Sequence, residues 1–114
     1  MDIVRINPRE WNCGAAVFGD LVFLSGVVAD DKSLPMKGQT DQVLRKIDTV
    51  LAKAGTNKSR ILSATVYMAD AGLKDEMNEA WMAWVDRANL PTRTAVGAAL
   101  TPGTMVEITV CAAK

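Results

Sequence analysis

A chain of 114 residues is long enough for one hydrophobic core and too short for two. Apolar residues make up 49% and charged residues 23%, a globular balance, and 13 basic residues offset 13 acidic ones, which leaves no excess positive charge to attract nucleic acid. The absence of histidine excludes Ser-His-Asp and Cys-His catalysis, and two cysteines alone cannot complete a Cys₂His₂ or Cys₄ zinc site.

No apolar run approaches a membrane span, and the opening MDIVRINPRE lacks the basic-then-apolar layout of a signal peptide, so the expected location is the cytosol. Cys13 and Cys111 read as small buried or interface residues of a reducing compartment, with a disulfide or catalytic role the lesser alternative. No repeat or linker divides residues 1–114, which are expected to form one domain.

DIVRI (2–6) reads as a short strand ending at Asn7-Pro8. Residues 15–29 hold two strands around Gly19-Asp20, a dipeptide suited to a tight hairpin turn, and 30–38 read as a loop. Val43, Leu44, Ile47, Val50, Leu51 and Ala54 then recur at helical spacing. Gln39 or Thr40 is the expected start of this helix, and Gly55 suits the left-handed position after its end. Residues 60–69 alternate, with Leu62, Ala64, Val66 and Met68 on one face and Ile61, Ser63, Thr65 and Tyr67 on the other, as in a strand. A second helix is predicted over 73–88, with Leu73, Met77, Ala80, Trp81, Trp84 and Val85 on its buried stripe. The two tryptophans there read as core rather than as a platform for stacking bases.

Residues 94–100 and 105–112 both alternate and are predicted to pair as a hairpin, Val96 opposite Val110 and Leu100 opposite Val106, with 101–105 as the turn. That register puts Arg93 and Glu107 on the sheet face away from the helices, among Ala95, Gly97, Ala99, Met105, Thr109 and Cys111. The two charges then start roughly 20 Å apart within one chain. A face so poor in charge suggests a subunit interface, across which they could meet. The structural alternative makes Arg93 a helix cap and Glu107 a partner for an interface neighbour. The element order β-β-β-α-β-α-β-β predicts an α+β domain, a mixed six-stranded sheet with both helices on one face.

LVFLSGVVA, GQTDQVLRKIDTVLAKAG, ILSATVYMADAGLKDEMNEAW, LPTRTAV and VEITVCA, in this order, resemble the Rid/YjgF family, also called the endoribonuclease L-PSP or RutC-like family. The resemblance implies a chorismate-mutase-like α+β subunit, a homotrimer with three inter-subunit clefts, and an imine or enamine deaminase. Such an enzyme hydrolyses reactive 2-imino acids to 2-keto acids and ammonia without a cofactor. Arg93 matches the arginine that holds the substrate carboxylate, a task suited to its planar fork, and Glu107 matches the glutamate that positions or activates water. Ser25 and Gly26 match a Ser-Gly pair where backbone approaches the ligand, Asn78 an asparagine on the second helix, and Ala95 a main-chain contact. Ser25 could equally satisfy a strand bend, and Asn78 could equally be a solvated helix residue. Asn12, beside Trp11, stands where the family's imine deaminases carry an active-site tyrosine. The implied partners are a small carboxylate-bearing substrate and further copies of the chain, with no nucleic acid and no membrane. The alternative function is a non-catalytic trimeric module that binds small 2-keto or 2-imino acids, and ribonuclease activity ranks last.

Overall fold

The computed structural model describes all 114 residues. Its strands are β1 (Ile3–Pro8), β2 (Cys13–Phe18), β3 (Leu21–Leu24), β4 (Val27–Val28), β5 (Ile61–Met68), β6 (Thr92–Gly97) and β7 (Val106–Ala113). Its helices are α1 (Met36–Lys53), between β4 and β5, and α2 (Lys74–Trp84), between β5 and β6. The strands form one mixed seven-stranded sheet in the order β1-β2-β3-β7-β5-β6, with β4 also paired to β7. The fold is α+β with two helices on one face, and neither helix is long and apolar enough to cross a membrane.

The hairpin at Gly19-Asp20 forms as expected: Phe18 pairs with Leu21, and Gly19 takes a positive φ of 59°. Gly55, at φ 82°, terminates α1 through paired bonds, its own N–H to Ala52 O and that of Thr56 to Leu51 O. The helix begins a turn before the expected Gln39, because Pro35 caps it in an extended conformation and Met36 is already buried. Gln39 is fully buried, and its side chain bonds the flanking loops: Nε2 donates to Lys32, Leu34 and Gly103 carbonyls, and Oε1 accepts from Met105 N–H. The second helix is shorter than 73–88, because Val85 turns extended and Asp86 organises the following turn by accepting from Ala88 N–H, Asn89 Nδ2 and Ser59 Oγ.

The core lies between the helices and one sheet face, where Val43, Leu44, Ile47 and Leu51 of α1 and Met77, Trp81 and Trp84 of α2 cover Val66, Ile108 and Val110. Each fully buried large apolar side chain contributes roughly 1.5–3 kcal/mol. Trp84 also donates its Nε1 hydrogen to Asp48 at 3.0 Å, so both tryptophans are core residues as the spacing predicts. In β5 a register shift between Ile61 and Ser63 buries Ile61 and exposes Leu62, reversing the expected faces at that end of the strand.

The final hairpin does not form. β5 lies between β6 and β7, parallel to β6 and antiparallel to β7. A strand that returns to its sheet through a helix runs parallel to the strand it left, so β6 pairs with β5 and becomes an edge. The pairing also reverses the expected faces of β6. Arg93 aligns with buried Ala64 and Ala95 with buried Val66, on the helix side, whereas Thr94 and Val96 align with Thr65 and Tyr67 on the open side. Leu100 and Ala99 fall in the loop between β6 and β7, and Met105 packs against the core. Of the small residues expected on the open face, Thr109 and Cys111 lie there, beside Phe23 and Tyr67.

Candidate functional site: two half-sites on one chain

Glu107 and Gly26 come together through an irregularity in the sheet. Phe23 faces Cys111 and Val27 faces Ile108, so four steps from β3 to β4 span three steps of β7. The extra residue makes a bulge at 24–26, the kind of kink that redirects side chains beside functional sites. Ser25 holds the bend: its N–H donates to Gly14 O, and its hydroxyl donates to Cys13 O at 2.6 Å. The Ser25 hydroxyl is thereby committed to the strand bend. Gly26 leaves room for its neighbour, since a Cβ there would coincide with the Glu107 carboxylate.

That carboxylate opens into a cavity of about 400 Å³ lined by Gly26, Tyr67, Ala98, Ala99, Leu100, Glu107 and Thr109. Glu107 is half-buried and belongs to none of the chain's three ion pairs, Lys37–Glu79, Arg45–Asp41 and Lys46–Asp30.

Arg93 occupies a second hollow, of about 350 Å³, lined by Asn78, Trp81, Met82, Leu90, Pro91 and Arg93 itself. Its guanidinium carbon lies 5.1 Å from the centre of the Trp81 ring, a cation–π contact, and its Nη1 is 3.8 Å from the Met77 sulfur. Desolvation lowers the guanidinium pKa from its ordinary value. No carboxylate pairs with it. An arginine half out of water, steadied by an aromatic face and left without a counter-ion, is suited to receive an external carboxylate.

Arg93 and Glu107 therefore lie on opposite faces of the sheet, on the two strands flanking β5, and not on the shared face that the hairpin would have given. One chain does not bring them together. Asn78 joins the Arg93 half, and Ser25 and Gly26 join the Glu107 half. The Ala95 methyl packs against the core, which leaves only its main chain for a ligand, on an edge strand. Asn12 lies in the exposed β1–β2 turn, its carbonyl accepting from Arg9 N–H, and it lines neither hollow. Sequence alone sets Thr109 on the face of Glu107 but does not single out Tyr67 or the support that Trp81 gives Arg93. Alternation groups Tyr67 with Thr65 and Ser63, but only the β5–β7 register aligns it with Glu107.

Comparison with known proteins bears on the family and the fold. The sequence profile of the family described as endoribonuclease L-PSP matches residues 5–114. A RutC family protein of Haemophilus ducreyi is 43% identical over 97% of this chain and 96% of its own. The RutC family protein YoaB of Escherichia coli K12 is 38% identical over 99% of both chains. The crystal structure of a YjgF family member from Neisseria meningitidis superposes with a TM-score of 0.97 at 37% identity, covering 100% of this chain and 96% of that one.

Proposed function

Because the chain belongs to the endoribonuclease L-PSP family of YjgF and RutC-type proteins, we propose that it is an imine or enamine deaminase that works as a homotrimer. In this reading it hydrolyses 2-imino acids to 2-keto acids and ammonia at clefts between subunits. The observation that carries the reading is the pair of unpartnered, half-buried charges, Arg93 and Glu107, opening into separate hollows on opposite sheet faces. Each hollow is half of a site. A second copy that set its Arg93 hollow against the first copy's Glu107 cavity would complete both the carboxylate anchor and the base.

Arg93 then holds the substrate carboxylate through two parallel N–H···O bonds. Glu107 accepts a proton from water as the water oxygen bonds to C2, and the imine nitrogen gains a proton. Collapse of the resulting carbinolamine breaks the C–N bond, leaving the C2 carbonyl and releasing ammonia. Imine hydrolysis has a low intrinsic barrier, so orientation and modest proton transfer suffice without histidine. Ser25 shapes the bulge, Gly26 makes space for Glu107, and Asn78 borders the anchor.

The test is hydrolysis of amino-acid-derived imines generated in situ, comparing wild type with Arg93→Ala. Turnover that disappears in the variant supports the deaminase. Arg93-dependent binding of 2-keto acids without turnover would instead support a binding module.

A further inference from the structure

Three of the residues that line the Glu107 cavity have polar side chains: Tyr67, Glu107 and Thr109. The Thr109 hydroxyl already donates to Leu24 O at 2.8 Å, and the nearby Ser25 hydroxyl donates to Cys13 O. A carboxylate can only accept. The Tyr67 phenol has no partner within the chain, so it is the one side-chain donor left free at the cavity. Tyr67 pairs directly with Glu107 across β5 and β7, and residues opposed in this way hold their Cβ atoms roughly 5 Å apart on one face. A free donor thus stands beside a free acceptor, both facing the same space.

We propose that Tyr67 is a substrate-contacting residue of this site, its phenol donating a hydrogen bond to the oxygen that becomes bonded to C2. The proposal rests on the deaminase reading for the identity of that oxygen. Water carries both a lone pair and a proton, so Tyr67 and Glu107 hold it from its two sides, the phenol donating to its oxygen and the carboxylate accepting from it. After attack, the same oxygen belongs to the carbinolamine hydroxyl and then to the product carbonyl. The phenol keeps its proton throughout, so proton transfers still run through Glu107. The consequence is selectivity: the cavity favours ligands with an acceptor oxygen at C2 over carboxylates that have only a methylene there.

The test compares binding of 2-oxobutanoate and butanoate by wild type and Tyr67→Phe, which keeps the ring and removes the hydroxyl. Wild type is expected to prefer 2-oxobutanoate, and the variant to lose about tenfold for it while binding butanoate unchanged. No loss, or equal loss for both ligands, overturns the contact. Tyr67 is the only tyrosine in the chain, so fluorotyrosine incorporation labels this one site in otherwise unaltered protein. Its fluorine resonance should move with 2-oxobutanoate and not with butanoate, and a resonance indifferent to both also overturns the proposal. If Tyr67-dependent selectivity is found in a protein that turns over no imine, the deaminase reading fails while the contact stands. Imine turnover without the selectivity overturns the contact and leaves the deaminase standing.

Discussion

The Glu107 carboxylate rests against the α-carbon of Gly26, where any side chain would begin. Gly26→Ala should therefore push the carboxylate from its place while leaving the fold intact. Imine turnover is expected to fall about tenfold or more with little change in thermal midpoint. Equal turnover in Gly26→Ala and wild type would show that the carboxylate's position is unimportant. Glu107→Gln retains the shape and loses the base, so binding of a 2-keto acid should persist while kcat falls, which steady-state kinetics beside calorimetry separates. Arg93→Lys keeps a charge and loses the planar fork that can both stack on Trp81 and clasp a carboxylate. Its kcat/KM for 2-imino acids should drop about tenfold or more, and a wild-type value would remove Arg93 as the anchor.

At the scale of elements, Gln39 joins parts of the chain that no regular secondary structure connects. From the first turns of α1 its amide satisfies three carbonyls and one N–H of the loops around residues 32–34 and 103–105, and it is fully buried. Gln39→Ala leaves those backbone groups without their partner, an expected loss of roughly 2–4 kcal/mol in denaturant unfolding. A loss below ~0.5 kcal/mol would mean that water replaces the amide without cost. The same loop descends from β6 past Ala98, Ala99 and Leu100, which line the Glu107 cavity, so loosening it should also blunt ligand binding. Leucine at position 39 would fill the volume and satisfy none of these groups, and should be no more stable than alanine.

For the whole molecule, the open sheet face carries Phe18, Leu21, Phe23 and Val96 in exposed positions beside half-buried Thr109 and Cys111. Phe23, 48% exposed and paired with Cys111, stands on this face between the ends of the sheet, and a homotrimer would cover it. Phe23→Glu should yield monomers by sedimentation and abolish turnover together, since each half-site would lose its complement. Mixing and refolding Arg93→Ala with Glu107→Ala chains tests the division of labour directly. With each cleft taking one residue from each neighbour, about a quarter of the clefts in a random mixture are whole, and that fraction of activity should return. A mixture as inactive as its parents would mean that the two residues do not act across subunits.

The sequence by itself determined what local chemistry can specify: an amphipathic helix stopped by Gly55, a hairpin turned at Gly19-Asp20, and a strand alternating from Ser63 to Met68. Arg93 and Glu107 were legible as well, because charges in otherwise apolar strands stand out against their neighbours, whereas Ser25, Gly26, Asn78 and Ala95 came to notice only through the family resemblance. Alternation states which residues share a face, but not which face, nor which strand lies alongside. Those choices belonged to the tertiary structure. The β5-α2-β6 crossover set β6 parallel at the edge and turned Arg93 toward Trp81, and the one-residue bulge before β4 brought Gly26 under Glu107. Both are matters of long-range register, where a shift of one residue reverses every side chain and leaves the local pattern unchanged.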